Sequence, residues 1–206
     1  MRVLYGTKNK AKLESMKRIT KDLGLEIIGL SDLDMPLPDI NESGNDPLQN
    51  ACIKAMAYYE AYKMPVFSCD SGLYFDELDD MSQPGTHVRR VCGRELTDEE
   101  MIAHYASLAR KNGGKLVGSY RNAICFIWDY DHIYTSMDAS LYTERFILTD
   151  KAHEMRNQGF PLDSLSVDIA TGKYYYDLKT KSVDESAVDK GFRAFFENAL
   201  EKIGRR

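Results

Sequence analysis

The chain contains no Cys-x-x-Cys pair. Its four cysteines, Cys52, Cys69, Cys92 and Cys125, are widely scattered, so neither a zinc site nor a disulfide framework is indicated and reduced, mostly buried thiols are expected. No window approaches the roughly 20 consecutive apolar residues of a membrane-spanning helix. The first ten residues hold only a three-residue apolar run, Val3 to Tyr5, followed by Lys8 and Lys10, so no secretory leader is expected and the cytoplasm is the expected location. An excess of positive charge is also missing. Lys and Arg number 27 against 32 Asp and Glu, a formal net charge of −5, which argues against a general nucleic-acid or membrane surface and requires any basic pocket to be local. Repeats, linkers and low-complexity tracts are absent, and 206 residues with 43% hydrophobic content suit a single folding unit spanning 1–206.

What is present alternates short apolar runs with amphipathic stretches, the pattern of an α/β fold. Residues 2–6 read as a strand and 9–23 as a helix with Leu13, Met16, Ile19 and Leu23 on one face, closed by Gly24. The junction Gly6-Thr7-Lys8-Asn9-Lys10-Ala11-Lys12 is then a strand-to-helix turn, which aims free N–H groups and the positive end of the helix dipole at whatever lies above it. Thr7, Asn9 and Lys12 add donors and charge to this candidate phosphate cradle. The P-loop pattern, two glycines and Gly-Lys-Ser/Thr, is not there, and capping of the helix by Thr7 or Asn9 is an equally good reading.

A second strand over 25–30 precedes a loop over 31–47, rich in Asp, Pro, Asn and Gly, that carries Glu42-Ser43-Gly44. A helix over 46–63 follows, with Leu48, Ala51, Cys52, Ala55, Tyr59 and Tyr62 as its buried stripe and Lys54 off it. Taken singly, Glu42 and Lys54 read as solvated residues. Val66 and Phe67 suit a buried strand that opens into Asp70-Ser71-Gly72, turn material in which Gly72 would supply a positive φ and Asp70 would stand at the strand's C-terminal edge, where open α/β sheets bind ligands. A further strand is expected over 73–78. Cys69 beside that turn reads as a small strand residue rather than a nucleophile, since no His is near it in sequence. Gln83-Pro84-Gly85-Thr86 is a turn before Arg89 and Arg90, which could serve an anion or pair with nearby acids.

Thr97 with Glu100 fits a capping box opening a helix to Lys111 with Met101, Tyr105 and Leu108 inward. Residues 116–128 and 133–148 read as antiparallel strands, joined near Asp129 to His132. A short helix is expected over 151–158, then a rigid loop exposing Phe160 beside Asp163, strands over 165–169 and 174–178, and a last helix over about 184–202 burying Phe192, Phe195, Phe196, Ala199 and Ile203.

In order, these segments resemble the inosine/xanthosine triphosphate pyrophosphatases. That family opens with Thr-x-Asn-x-x-Lys, matched by Thr7, Asn9 and Lys12. Its Glu-Thr-Gly, Glu-Asn-Ala and helix Lys are similar to Glu42-Ser43-Gly44, Gln49-Asn50-Ala51 and Lys54. Its Asp-Asp-Ser-Gly-Leu resembles Cys69-Asp70-Ser71-Gly72-Leu73, Pro84-Gly85 with Arg90 fits its Pro-Gly-x-x-x-x-Arg, and Arg121 with Ala123 its central strand. Two elements depart from the pattern. Phe-Gly-aromatic-Asp becomes Phe160-Pro161-Leu162-Asp163, and Ser-His-Arg-Gly, which reads the purine edge, becomes Val188-Asp189-Lys190-Gly191. The preceding family lysine has no direct counterpart, although Lys179 or Lys181 fits with about two inserted residues.

The resemblance implies an elongated, twisted, mixed β-sheet flanked by helices, with two lobes and a cleft between them. It also implies a homodimer and Mg²⁺-dependent hydrolysis of a nucleoside triphosphate to the monophosphate and pyrophosphate. Glu42 and Asp70 would hold the Mg²⁺, and Asp70 would orient or deprotonate the attacking water. Lys54, Thr7, Asn9, Lys12 and Arg90 would neutralise the phosphates, with Ser71 and Gly72 beside them. Phe160 would stack on the base, and Asp163, Asp189 and Lys190 would lie near its edge. Two other readings stay open: the same chemistry on a different or modified base, because a carboxylate favours a donor-bearing edge, and a non-catalytic nucleotide binder, suggested by Cys69 and Gln49 where the family has acids.

Overall fold

The computed structural model describes residues 1–178 and 187–204. It is an α/β fold whose mixed sheet runs in the order Glu26–Gly29, Arg2–Tyr5, Val66–Phe75, Lys115–Asp129, Phe146–Thr149 and Ser166–Asp168, with His132–Ser136 also paired to Lys115–Asp129. The chain divides into two units. The first takes Met1–Ser71, Arg121–Tyr142 and the C-terminal helix, and the second takes Gly72–Tyr120 and the segment that begins at Thr143.

In the first unit, β1 (Arg2–Tyr5) lies parallel to both β2 (Glu26–Gly29) and β3 (Val66–Phe75). Between β1 and β2 runs α1 (Lys10–Ile19), shorter than its apolar period suggested because Thr20 ends it, its hydroxyl donating to the Met16 carbonyl at 2.8 Å. Next comes α2 (Pro47–Tyr62), with Asp46 accepting from the Gln49 amide at its N-terminus and Lys63 at φ 49° at its C-terminus. The buried residues of α2 are Pro47, Asn50, Ala51, Ala55, Tyr58 and Tyr59, so its inward face extends past the expected stripe to include an amide and a phenol. Two clusters form the core. Val3, Phe67, Ile124 and Phe126 pack with α1 and with Phe192 and Phe196 of the last helix, while Leu4, Val66, Ala123 and Ile127 pack with α2.

The largest correction concerns β3. It is one ten-residue strand, and Asp70, Ser71 and Gly72 lie inside it rather than in a turn after it. Gly72 does not take a positive φ. Glycine is needed there for space, because a Cβ would meet the Tyr74 ring at 2.7 Å and the Gly85 carbonyl at 3.0 Å, where Leu73 and Gly85 exchange backbone hydrogen bonds.

In the second unit, β4 (Arg90–Val91) and β5 (Arg94–Glu95) form a minimal hairpin. It leads into α3 (Asp98–Lys111), whose start is the capping box read from the sequence: the Glu100 amide donates to Thr97 Oγ1 and the Thr97 amide to the Glu100 carboxylate. The strand β6 (Lys115–Asp129) belongs to both units. The expected strand over 133–148 is two strands, β7 (His132–Ser136) on residues 124–129 of β6 and β8 (Phe146–Thr149) on residues 115–118, separated by a 3₁₀ turn that buries Leu141. β9 (Ser166–Asp168) completes the sheet antiparallel to β8.

Residues 151–158 are not a helix. The Arg156 guanidinium donates to the His153 and Met155 carbonyls, and the His153 amide is committed to Ser164. Nor is 174–178 a strand: Tyr174 makes one bridge to Val167, and a 3₁₀ turn follows. The last helix, α4, is described over Ala187–Gly204, so the expected start near 184 lies outside the described residues. Among the described residues, no helix is long and apolar enough to cross a membrane.

Candidate active site

Asn50, Lys54 and Tyr58 stand at i, i+4 and i+8 on α2, one above another on a single face. The Lys54 ammonium donates to Asp70 Oδ1 at 2.8 Å and to Glu42 Oε2 at 2.9 Å. Its side chain is only 13% exposed, so it is not the solvated helix lysine that exposure statistics favour. Burial works against its charge, but the attraction of Asp70 and Glu42 outweighs that penalty and raises its pKa above the ordinary lysine value. The loop acid and the strand acid are thus brought to one cation.

Asn50, 3% exposed, closes the arrangement from the other side. Its amide nitrogen donates to Asp70 Oδ2 at 3.2 Å, and its oxygen accepts from the Gly44 N–H at 2.8 Å. Ser71 donates its hydroxyl to Asn122 Oδ1 at 2.7 Å, and Asn122 donates to the Leu141 carbonyl at 2.7 Å, which ties β3, β6 and the turn after β7 together. Sequence reading missed Asn50 and Asn122 as supports. The signal for Asn50 was available, since a residue four before a site lysine on a helix shares its face.

At the start of α1, Asn9 caps the helix, its side-chain oxygen accepting from the Ala11 and Lys12 amides at 2.9 and 3.1 Å. Two of the N–H groups a phosphate cradle would offer are therefore engaged. Thr7 Oγ1 accepts from the Asn9 amide at 3.2 Å. Lys12 is exposed, makes no ion pair among the described residues, and acts electrostatically on Cys69, which places its charge near the middle of β3, beside Asp70. Burial pushes the Cys69 thiol up to about 11, against a hydrogen bond with Tyr5 and the pull of Lys12 and Lys54, so Cys69 is a packed thiol rather than a nucleophile. Gly6 is required where β1 meets this site, because a Cβ there would lie 2.3 Å from Ser68 Oγ and 2.5 Å from the Tyr58 ring.

Asp189 on α4 is engaged by Arg18, whose guanidinium donates to Asp189 Oδ2 at 2.9 Å, and Lys190 is exposed. Lys179 and Lys181 lie outside the described residues. In the second unit, Arg89 pairs with Asp98 at 2.7 Å, whereas Arg90 is exposed on β4. Phe160, half exposed, and Asp163 help line a cavity of about 210 Å³ that also includes Tyr120, Met101 and Arg89. Burial raises the Asp163 carboxyl, opposed by a weak hydrogen bond from Asn157.

Glu42 and Asp70 supply hard oxygen donors from two elements around one cationic position. Among the described residues, no point gathers three or more potential His, Cys, Asp or Glu ligands. Mg²⁺, which keeps several waters and is bound through one or two carboxylates plus phosphate, fits such a donor set.

An α/β fold with a mixed sheet and an acid–lysine–acid cluster at a parallel strand defines the class, and a solved structure agrees on the fold. The HAM1 protein of Coxiella burnetii superposes with a TM-score of 0.73 at 18% identity, covering 99% of both chains. The Ham1 family model matches residues 3–144, and the chain belongs to that family. Among curated relatives, the dITP/XTP pyrophosphatase of Bradyrhizobium diazoefficiens is 32% identical over 136 residues, 64% of this chain and 63% of that one. The dITP/XTP pyrophosphatase of Oceanobacillus iheyensis is 35% identical over 101 residues, 49% of this chain and 50% of its own. The matches therefore span between half and just under two thirds of these relatives' length. Phe160, Asp163, Asp189 and Lys190 all lie beyond the residues the family model matches.

Proposed function

We propose that the chain hydrolyses the anhydride between the α and β phosphates of a nucleoside triphosphate, water and triphosphate giving the monophosphate and pyrophosphate, with Mg²⁺ as the cofactor. One observation carries the reading: the Lys54 nitrogen held at 2.8 and 2.9 Å between Asp70 and Glu42. Family membership and the names of the curated relatives support it.

In this reading Glu42 and Asp70 hold the ion, which when bound supplies electrophilic charge at the phosphate oxygens. Lys54, already charged and poised, moves from the carboxylates to a phosphoryl oxygen and stabilises the charge that builds there. Asp70 accepts the proton of the attacking water. Thr7, Asn9 and Lys12 at the start of α1 and Ser71 on β3 orient the phosphates. Such local focusing lets a net acidic chain bind a polyanion.

A second reading, the same chemistry on a different or modified base, is motivated by Asp189 itself, a carboxylate where the family has a His; Arg18 engages it at 2.9 Å. A panel of canonical, deaminated and modified nucleoside triphosphates, scored for pyrophosphate against orthophosphate with and without Mg²⁺, tests both. Pyrophosphate released only with the metal is expected, and the substrate ranking separates the two readings. Orthophosphate alone, or no turnover of any nucleotide, removes the proposal. The homodimer that goes with this reading is expected as a single species of twice the chain mass in sedimentation equilibrium, and a monomer throughout would refute it.

A further inference from the structure

We infer that Asn50 is a positioning residue that orients the Asp70 carboxylate and pins the Glu42 loop, setting the separation of the two acids before any ligand arrives. The inference rests on the proposed hydrolytic site and adds a residue to it.

Four distances support it. Through Lys54, Asp70 Oδ1 and Glu42 Oε2 are held at 2.8 and 2.9 Å. Through Asn50, Asp70 Oδ2 and the Gly44 N–H are held at 3.2 and 2.8 Å. The two spans differ in permanence. Lys54 ends in a mobile ammonium on a long flexible stem that a triphosphate can draw away, whereas Asn50 is short, 3% exposed and fixed at both ends. When Lys54 leaves, Asn50 is the one side chain among the described residues that still hydrogen-bonds the Asp70 carboxylate, so Oδ1 is released toward the ligand while Oδ2 stays engaged. At the loop end a Cβ on Gly44 would lie 2.6 Å from Asn50 Oδ1, so the loop backbone sits directly against the amide. Groups that orient metal ligands from behind change metal affinity or activity by roughly 10–100-fold when removed.

Two substitutions separate the two ends of the strut. Asn50→Asp keeps an acceptor for the Gly44 N–H but removes the donor to Asp70, and Asn50→Ala removes both. Two readouts are taken on each full-length variant: amide hydrogen exchange at Gly44, and the half-saturating concentration of Mn²⁺, measured by electron paramagnetic resonance with a non-hydrolysable α,β-methylene triphosphate and by the metal dependence of turnover. Loss of folded protein lowers amplitudes but does not move a half-saturation point. The expected result is faster Gly44 exchange in Asn50→Ala only, and a 10–100-fold rise in half-saturating metal in both. Wild-type Gly44 protection in Asn50→Ala, or wild-type metal half-saturation in Asn50→Asp, overturns the inference. If the wild-type chain turns over no nucleotide, the functional reading fails while Gly44 exchange still decides the strut.

Discussion

Asp70→Asn is expected to lower pyrophosphate release about a hundredfold or more while leaving the fold intact. Asparagine matches the carboxylate in shape, and its single oxygen can still accept from Lys54 Nζ, now 2.8 Å from Asp70 Oδ1, while its NH₂ group takes the place of Oδ2 and gives up the 3.2 Å hydrogen bond from the Asn50 amide. What it loses is the negative charge that would hold a metal ion and the basicity that would take a proton from water. Removing one preorganised electrostatic group from an active site commonly costs 10²–10³ in rate, about 2.7–4 kcal/mol. Lys54 should keep Glu42 as a partner and remain ordered, so circular dichroism and the melting temperature should stay close to wild type. Near-normal turnover in this variant would remove Asp70 from the chemistry.

Gly191→Ala carries the largest expected cost in stability. Alanine favours a helix interior over glycine by up to about 1 kcal/mol, so an unobstructed helix would gain from the change. Here the new Cβ would lie 2.1 Å from the backbone oxygen of Ser140 and 2.7 Å from its carbonyl carbon. A backbone carbonyl cannot step aside as a side-chain tip can. The Asn122 side chain also holds the neighbouring Leu141 carbonyl at 2.7 Å, which fixes this turn to β6. Overpacking of this kind costs about 1–3 kcal/mol, sometimes more. The steric term exceeds the propensity term, and the net cost of about 1–2 kcal/mol corresponds to a fall of roughly 2–8 °C in melting temperature for a chain of this size. An unchanged or higher melting temperature would show that α4 is not seated against Ser140. The same contact gives a reason for glycine at 191, where the three residues before it depart from the family pattern.

The site's chemistry was more legible than its geometry. Glu42 and Lys54, which taken singly read as solvated residues, are named together with Asp70 only through the resemblance of their motifs to the pyrophosphatase family. The form of the backbone around Asp70 could not be read, because Asp, Ser and Gly are turn formers by local preference, and in β3 that preference yields to pairing. Ser71 reaches Asn122 on β6, and Leu73 pairs with Gly85. Asn9 was legible as a cap because capping is local, and the Thr97 and Glu100 box for the same reason. The failed helix over 151–158 shows the opposite case, since the Arg156 side chain takes carbonyls that a helix would have used. Asn50 escaped notice because its role depends on Gly44 and Asp70, which only the folded chain brings to it.

Phe196 packs edge-on against Phe67, with centroids 5.0 Å apart, and lies 5.7 Å from Phe126, in a cluster that also holds Val3 and Leu13. A ribosome adding about 5–20 residues per second makes α1, β1, β3 and β6 well before it reaches α4. Throughout that interval the aromatic face of the nascent sheet has α1 on it but lacks the cover that Phe192 and Phe196 supply. Hydrophobic closure of the first unit therefore falls to the helix synthesised after every strand is in hand.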